Sequence, residues 1–260
     1  MPAVEFQHQK SQATSLSDQL PPRQKSHKLK TALVAGVVFL YLYPTPLYRL
    51  LVPLFSDTSA SPTALASAEH IEEIKNAQTF TLQRQNYTYN LLPRAKYELY
   101  GRIIDLERYH GLWERFAHDY DQGRMLYNAL SPLDLVIGYG QMAEPKQIAQ
   151  FRFKHEYRLM WWQPKTKLPN MVTLLSQFNN FHIIPATPRL ALATKALMRG
   201  DMVRLKGFLV DVTTPLFDWW KLTTGTGHNQ YHKEFYGGQY ATMCFVVYVQ
   251  EMQIGRNIYK

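Results

Sequence analysis

Four histidines are the residues of this chain best suited to chemistry, because imidazole can carry a proton or bind a metal near neutral pH. His228 and His232 are four residues apart, but the Thr-Gly-Thr-Gly run at 224–227 favours a loop over a helix that would align them. His155 lies in an apolar, strand-like run, and His182 lies in the sequence NNFHIIPAT, where it could orient a tight turn. No ligand spacing such as HExxH occurs, so we predict neither a metal site nor a cofactor.

Other catalytic motifs are sparse. The chain has no GxSxG motif, and its one cysteine, Cys244, lies in the apolar run ATMCFVVYV, which is typical of a small buried side chain. Asp134 and Glu156 could form the carboxylate pair of a glycosidase, but spacing along the chain does not fix their separation. The TTGTG sequence at 223–227 lacks the Lys-Ser/Thr of a phosphate loop. We therefore assign no catalytic residue and keep an exported hydrolase as an alternative.

Aromatic side chains with basic neighbours offer a binding surface. OB-type surfaces stack sugars or single-stranded nucleic acid on such rings and use basic residues for phosphate. The candidate ligand-binding residues are Trp161, Trp162, Trp219, Trp220, His155, His182 and Lys206. The same rings would also suit a hydrophobic core or contacts with lipid and neighbouring subunits.

The stretch that positions the rest of the chain is Thr31 to Phe55, its most apolar part. Thr31 to Tyr48 are eighteen residues without a charge, which as a helix would span about 27 Å, close to the hydrocarbon thickness of a bilayer. Pro44 and Pro46 could kink this helix. A cleaved signal peptide and a buried core helix are the alternatives, but the candidate cleavage sites lie well past the apolar run. We predict an uncleaved transmembrane anchor.

The flanks of this anchor predict its orientation. Residues 1–30 end in several basic residues and have few large apolar side chains, so we predict a disordered cytoplasmic tail. Beyond Arg49 the next basic residue is Lys75, so the C-terminal part should be exported, to the periplasm if the source is bacterial. That part, from residue 56, has only five more basic than acidic residues, a surplus too small to imply a nucleic-acid groove by itself.

Residues 56–95 are predicted to form a linker and then a helix over about 64–83, from the weak helical period of Ile71, Ile74 and Leu82. From residue 96 to residue 260 the pattern becomes strand-like, with runs of β-branched and aromatic residues bounded by Gly, Pro and Asn. We predict strands at Lys96–Leu106, Leu133–Gln141, Phe151–Trp162, Met202–Val212 and Thr242–Ile254. A Thr cap, Pro188 at the first helical position and a closing Gly200 predict a helix over 188–199.

The resulting order is strand, strand, strand, helix, strand, strand. An OB-type barrel uses this order, so we predict a mainly β protein with helices (α+β), built as a five-stranded OB-like barrel after one transmembrane helix. A flat sheet backed by helices is the alternative. The stretches 107–131 and 213–239 are longer than the loops that a minimal barrel needs.

Five segments carry a family resemblance: YELYG at 97–101, HEYRLMWW at 155–162, NNFHIIPAT at 179–187, RGDMVRLKGFLVDV at 199–212 and CFVVYVQEMQI at 244–254. With them the chain resembles a group of uncharacterised bacterial membrane-anchored proteins, over about residues 97–254. The resemblance implies a barrel-like exported domain after one N-terminal span, and it transfers no catalytic residue. The aromatic and Gly-rich segment after Val212 departs from that group in length.

These observations together predict a non-enzymatic, single-pass protein of the bacterial inner membrane. Its N-terminus would be cytoplasmic, and its periplasmic domain would make protein contacts or self-associate, as in a secretion or conjugation assembly. Besides proteins we expect the lipid bilayer as a partner, and we expect no nucleic acid. The alternative is an exported domain that binds a sugar or single-stranded nucleic acid, or a hydrolase, through its aromatic and His-rich loops.

Overall fold

The computed structural model is mainly β with a few short helices. It describes residues 58–59, 68–109, 122–156, 158–225, 233–235, 239–242 and 244–260. The predicted tail at 1–30 and the predicted anchor at 31–55 lie outside these ranges. Within them, no helix has both the length and the apolar character that a membrane crossing requires.

The strands in chain order are β1 Thr58–Ser59, β2 Ala68–Glu73, β3 Phe80–Arg84, β4 Tyr87–Arg108, β5 Leu133–Gly138, β6 Phe151–Glu156, β7 Leu159–Pro164, β8 Phe178–Pro185, β9 Met202–Thr213, β10 Lys221–Leu222, β11 Lys233–Phe235, β12 Gln239–Thr242, β13 Cys244–Ile254 and β14 Asn257–Tyr259. The helices are α1 Gln122–Leu130, α2 Pro145–Ile148, α3 Met171–Leu175 and α4 Pro188–Thr194, with a 3₁₀ turn at Gly140–Ala143.

Five of these strands pair in a closed ring. The order is β4, β5, β8, β13, β9 and back to β4, and every pairing is antiparallel except that of β8 with β13. The 22-residue strand β4 makes this possible, because its first part pairs with β9 while its last part pairs with β5. Strands β2 and β3 both pair antiparallel with the first part of β4, on the edge opposite β9.

Alternate residues of all five ring strands meet in one apolar core. Its members include Leu99, Leu135, Ile137, Phe181, Ile183, Leu205, Leu209, Phe245 and Val247, together with Leu190 and Ala193 of α4. Helix α4 begins as its sequence dictates, because the Thr187 hydroxyl accepts a hydrogen bond from Leu190 N at 3.2 Å and Pro188 occupies the first turn. It ends at Thr194, five residues earlier than the pattern predicts.

The opposite faces of the ring strands are buried too, under two separate apolar clusters. One joins β4 and β9 to α1 and includes Tyr89, Leu126, Leu130, Val212, Trp220, Val246 and Ile184. The other places a second sheet, ordered β11, β12, β7, β6, against the ring, and includes Val136, Phe151, Met160, Trp162, Leu174 and Phe178. Along β8, Phe178 belongs to the second cluster and Ile184 to the first, so Asn180 and His182 lie between them.

The third strand of the ring is not the one that the sequence predicts. Phe151–Trp162 forms a hairpin, β6 and β7, and the ring strand is β8, whose sequence was interpreted as a tight turn. His155 therefore pairs with Met160, and it does not share a strand face with Trp161. The turn is made without Gly, because Arg158 adopts the left-handed backbone conformation, with φ of 64°.

The predicted helix over 64–83 is wrong in its described part, which forms β2 and β3. Both strands pair antiparallel with β4. The helical period of Ile71 and Leu82 is weak, and pairing with an available strand edge outweighs a weak local preference.

Candidate functional site

The structure brings the two candidate histidines into one buried polar cluster on the outer faces of β5, β8 and β13. The cluster comprises Asp105, Tyr109, Tyr127, Asn128, Ser131, Asp134, His155, Arg158, Asn180, His182 and Cys244. We call it the Asp134 cluster. Its members come from β4, α1, β5, the β6–β7 hairpin, β8 and β13, so it links the ring to the elements packed on its outside.

The carboxylate of Asp134 is the centre of this cluster, and it is fully buried on β5. It accepts hydrogen bonds from Arg158 Nη1 at 3.0 Å and from Tyr109 OH at 3.0 Å, and His182 Nδ1 lies 2.7 Å from the same Oδ1 that Arg158 contacts. A buried carboxylate is tolerated only when it is paired and hydrogen-bonded, and Asp134 meets both conditions.

Arg158 supplies the compensating charge from the hairpin turn. Its guanidinium lies between two rings, 3.6 Å from the centroid of Tyr109 and 4.0 Å from that of Tyr127. It also donates to Asn128 Oδ1 at 2.5 Å and to the Ser131 carbonyl at 2.9 Å. These contacts stabilise the left-handed backbone at Arg158, which costs about 1 to 2 kcal/mol for a residue with a side chain.

Cys244 lies at the start of β13 on the same face as the cluster. In the parallel pairing of β8 with β13, Cys244 is opposite Asn180 and Val246 is opposite His182. Asn180 Nδ2 is 3.1 Å from the sulfur and also donates to the Arg158 carbonyl at 3.0 Å. Residues two apart on a strand share a face, so the thiol and the His182 ring are diagonal neighbours.

A second Asp–His pair lies at the rim of the cluster. His155 Nδ1 is 3.3 Å from Asp105 Oδ2, and His155 Nε2 is 3.1 Å from Asn180 Oδ1. The other oxygen of Asp105 contacts Arg199, whose side chain is mostly exposed, and it also accepts from Leu106 N at 2.9 Å. Asn180 therefore connects the rim pair to Cys244.

These contacts shift the acid–base behaviour of the cluster. Burial lowers the pKa of His182, but the nearby Asp134 and Cys244 outweigh burial and raise that pKa to about 10. The pKa of His155 is also raised, since Asp105 and Asn180 outweigh its burial. Burial raises the pKa of Asp105, but His155 and Arg199 reverse this and lower it overall. In both cases the neighbouring carboxylate favours the protonated imidazole.

The four candidate tryptophans have separate environments. Trp162 on β7 is buried against Phe151 and Phe178, and Trp161 is half-buried on the opposite face of the same strand. Trp220 is buried and donates from Nε1 to the Gly123 carbonyl of α1 at 3.1 Å. The side chain of Trp219 projects outward, and the residue is 68% exposed.

Lys206, the remaining candidate, lies on β9 away from these rings. Its Nζ is 3.4 Å from Glu98 Oε2 on the neighbouring strand, within a row of ion pairs that also includes Arg204. His228 and His232 lie outside the described residues.

From the sequence, Asp134 is a possible partner of Glu156, but its position beside His182 is not predicted. Asp134 interrupts the apolar strand LDLVIG, and Asn180 precedes His182 by two residues on the same strand face. A charged residue within a fully buried strand, and a polar pair at period two in the next strand, are the signals that indicate a shared buried site. No pattern in the sequence around Arg158 indicates that its side chain belongs to this site.

This arrangement suits proton transfer by an imidazole and nucleophilic attack by a thiol. Among the described residues, no three His, Cys, Asp or Glu side chains are placed to hold a metal ion. An imidazole oriented by a carboxylate, with a thiol on its other side, has the arrangement of groups that activates a nucleophile.

Comparison with known proteins gives no family for this chain. No family model matches the sequence, and no curated protein and no solved structure is significantly similar to it.

Proposed function

We propose that this chain is a membrane-anchored envelope protein whose exported domain binds another protein through an exposed aromatic turn. The anchor would be the apolar stretch 31–55, and the basic residues before it favour a cytoplasmic N-terminus. A bacterial inner membrane, with the domain in the periplasm and within a secretion or conjugation assembly, fits this topology.

The ring of strands supports an OB-like barrel as the fold of the exported domain. Its five strands close on themselves, and helix α4 lies between the third ring strand, β8, and the fourth, β9. This is the order of an OB-type barrel. The helix contributes Leu190 and Ala193 to the core that all five strands share.

The outer surface of this ring favours a protein partner over an oligonucleotide or a sugar. OB domains bind such ligands on the face of their second and third strands, here β5 and β8. On that face Val136 and Phe178 are buried under the β6–β7 hairpin, while Asp134 and His182 are buried in the polar cluster. The chain's own residues occupy the surface on which a ligand would stack.

The aromatic turn, residues 214–220, is the observation that carries the proposal. Trp219 is 68% exposed and Leu216 is 51% exposed, and the ring of Phe217 lies 5.5 Å from that of Trp219. Tryptophan exposed to water loses the free energy of burial, about 2 to 3 kcal/mol for a large side chain. Tryptophan is also the residue type most enriched at interface hot spots.

This turn is held rigidly, so a partner would meet it preformed. Thr214 Oγ1 donates to the Thr88 carbonyl at 2.9 Å, and Trp220 N donates to the Phe217 carbonyl at 3.1 Å. The buried Trp220 fixes the end of the turn against α1. A preformed contact residue costs little conformational entropy on binding.

The experiment is site-specific photo-cross-linking in cells that express the full chain. A photoreactive phenylalanine analogue replaces Trp219 in one variant and Val172 in the control. Val172 is 78% exposed on α3 and belongs to neither of the outer apolar clusters. We expect the Trp219 variant to form a discrete cross-linked protein species that the Val172 variant lacks, and Trp219→Ala to leave the melting temperature unchanged.

Three outcomes would contradict the proposal. The first is an absence of cross-linked protein at position 219, and the second is the same products at both positions. The third is cross-linking to lipid alone, which would assign the turn to the membrane interface. Cross-linking to a second copy of this chain would support the contact and identify the partner as the protein itself.

A further inference from the structure

We propose that Cys244, His182 and Asp134 form a nucleophilic site that transfers acyl groups from ester or amide substrates to its thiol. This activity is separate from the protein contact proposed above. Cys244 is the nucleophile, His182 holds and returns the proton, and Asp134 is a positioning residue that fixes the imidazole.

The strand pairing alone aligns the three groups. Cys244 and His182 lie on one face of two adjacent parallel strands, with Cys244 opposite Asn180 and therefore two positions along from His182. Asp134 is directly opposite His182 in the antiparallel pairing of β5 with β8. Because Nδ1 of His182 lies 2.7 Å from Asp134, Nε2 is the nitrogen left for the thiol.

The surroundings suit a thiolate. Asn180 Nδ2 is 3.1 Å from the sulfur, as a donor to a developing negative charge should be. The guanidinium of Arg158 and the imidazole of His182 lie on the same face, and positive charge there stabilises negative charge that develops on a sulfur.

The three residues of the proposed site differ in their exposure to solvent. Asp134 and His182 are buried, whereas Cys244 is half-buried at the end of its strand. Cys244 is therefore the member of the three through which a substrate would reach the site. A purely structural cysteine in a core would be closed on all sides.

The reaction needs no cofactor. The thiol proton passes to His182 Nε2 as the sulfur forms a bond to the carbonyl carbon. The bond from that carbon to the leaving oxygen or nitrogen then breaks, and the leaving group takes the proton from His182. Water next attacks the thioester while His182 accepts a proton from it, and the departing sulfur takes that proton back to restore the thiol.

The first test is alkylation of the folded protein, which needs no variant because Cys244 is the only cysteine. The full-length protein in detergent is treated with iodoacetamide, and its labelling rate is measured by mass spectrometry with and without urea. A nucleophile must be reached by a small reagent, so we expect the folded protein to be labelled within about tenfold of the rate in urea. Labelling that occurs only in urea would overturn the proposal.

The second test is acyl transfer itself. The probe is p-nitrophenyl acetate, and the readouts are release of nitrophenol and the mass of one acetyl group on the peptide that contains Cys244. We expect both in the native protein and neither in Cys244→Ala, while His182→Gln should slow acylation about 100-fold. An adduct that persists in Cys244→Ala, or its absence from the native protein, would overturn the proposal even if His182→Gln fails to fold.

Discussion

Two Asp–His pairs lie in the same polar cluster, and they differ in the exposure of the arginine that accompanies each pair. Asp134 with His182 is the deep pair, and Asp105 with His155 is the rim pair. All four side chains are at most 5% exposed. The nitrogen and oxygen atoms are 2.7 Å apart in the deep pair and 3.3 Å apart in the rim pair.

The two arginines have very different surroundings. Arg158 of the deep pair is 10% exposed between two tyrosine rings, whereas Arg199 of the rim pair is 70% exposed. An arginine in water can lose its carboxylate partner and be solvated again, but a buried one cannot. The two pairs should therefore contribute very different amounts to the free energy of unfolding, although they consist of the same residue types. Four measurements test this.

The largest effect is expected from Asp134→Asn. The substitution preserves shape but removes the charge that compensates Arg158 and His182, and breaking a buried ion pair costs about 3 to 5 kcal/mol. The free energy of unfolding of the domain in urea measures this loss. Asn128→Ala is the matched control, because it removes one polar neighbour of Arg158 without changing the buried charge. A loss for Asp134→Asn no larger than that of the control would mean that the deep pair is not the centre of the cluster.

The second prediction concerns pH. The pKa of His182 is raised from 6.5 to about 10, so the folded state binds this proton more tightly than the unfolded state does. The resulting stabilisation is fully present below about pH 6.5 and is lost as pH rises through about 10. The groups that face the ring are Asp134, Cys244 and Tyr127, with Arg158 bound to the same carboxylate.

Unfolding of the native chain and of His182→Gln should be compared from pH 7 to pH 10. We expect the native chain to have the larger free energy of unfolding at pH 7. The difference from the variant should fall by a few kcal/mol by pH 10, since one unit of pKa corresponds to about 1.4 kcal/mol. His155→Gln is the comparison from the rim pair: it leaves His182 in place, so it should keep the fall that belongs to His182, although the pKa of His155 is also raised. A difference in the free energy of unfolding that stays constant with pH would show that His182 is neutral in the folded protein.

A smaller effect is expected from Asp105→Asn. Here Arg199 returns to water, and His155 keeps its contact with Asn180, so the loss is that of hydrogen bonds to a charged group, about 1.5 to 3 kcal/mol. The pKa of Asp105 is lowered, so its contribution is present above about pH 4 and is lost as pH falls further. A loss in urea equal to that of Asp134→Asn would remove the distinction between the two pairs.

The sequence predicted those ring strands whose patterns are regular. β4 and β9 contain the predicted segments, β13 begins two residues later than predicted, and β5 ends three residues earlier than predicted. These strands were predictable because alternation or a continuous apolar run reflects burial on one or both faces. Helix α4 was predicted from its Thr cap and its proline. Each of these features is determined by residues that are close together in sequence, so the sequence alone predicts it.

The errors concentrate at the polar cluster. β8 is not among the predicted strands, because Asn179 and Asn180 suggest a tight turn beside His182. In the structure Asn180 is buried with three polar partners from other elements. The break between β6 and β7 was missed because Arg158 is not a turn residue, and its backbone conformation depends on contacts with distant residues. Local rules fail where the fold brings together groups that are remote in sequence.

Trp219 and Trp220 show the same limit for the candidate binding residues. They are adjacent in sequence and identical in type, yet one is exposed and the other is buried against α1. No local pattern separates them, because the outcome depends on where Gly123 lies. Only the fold shows that Trp219, and not Trp220, is available to contact a partner.

The smallest effect is expected from Arg199→Ala. The guanidinium contacts the buried Asp105, but its side chain is 70% exposed, so water and salt screen most of the attraction and the loss should be under about 1 kcal/mol. We expect urea unfolding at low ionic strength to show this loss and added salt to remove it, with Arg199→Lys intermediate. A loss of several kcal/mol that is insensitive to salt would mean that Asp105 depends on Arg199 as Asp134 depends on Arg158. The rim pair would then be a second deep pair, and burial of the carboxylate, rather than exposure of the arginine, would decide how much each pair contributes.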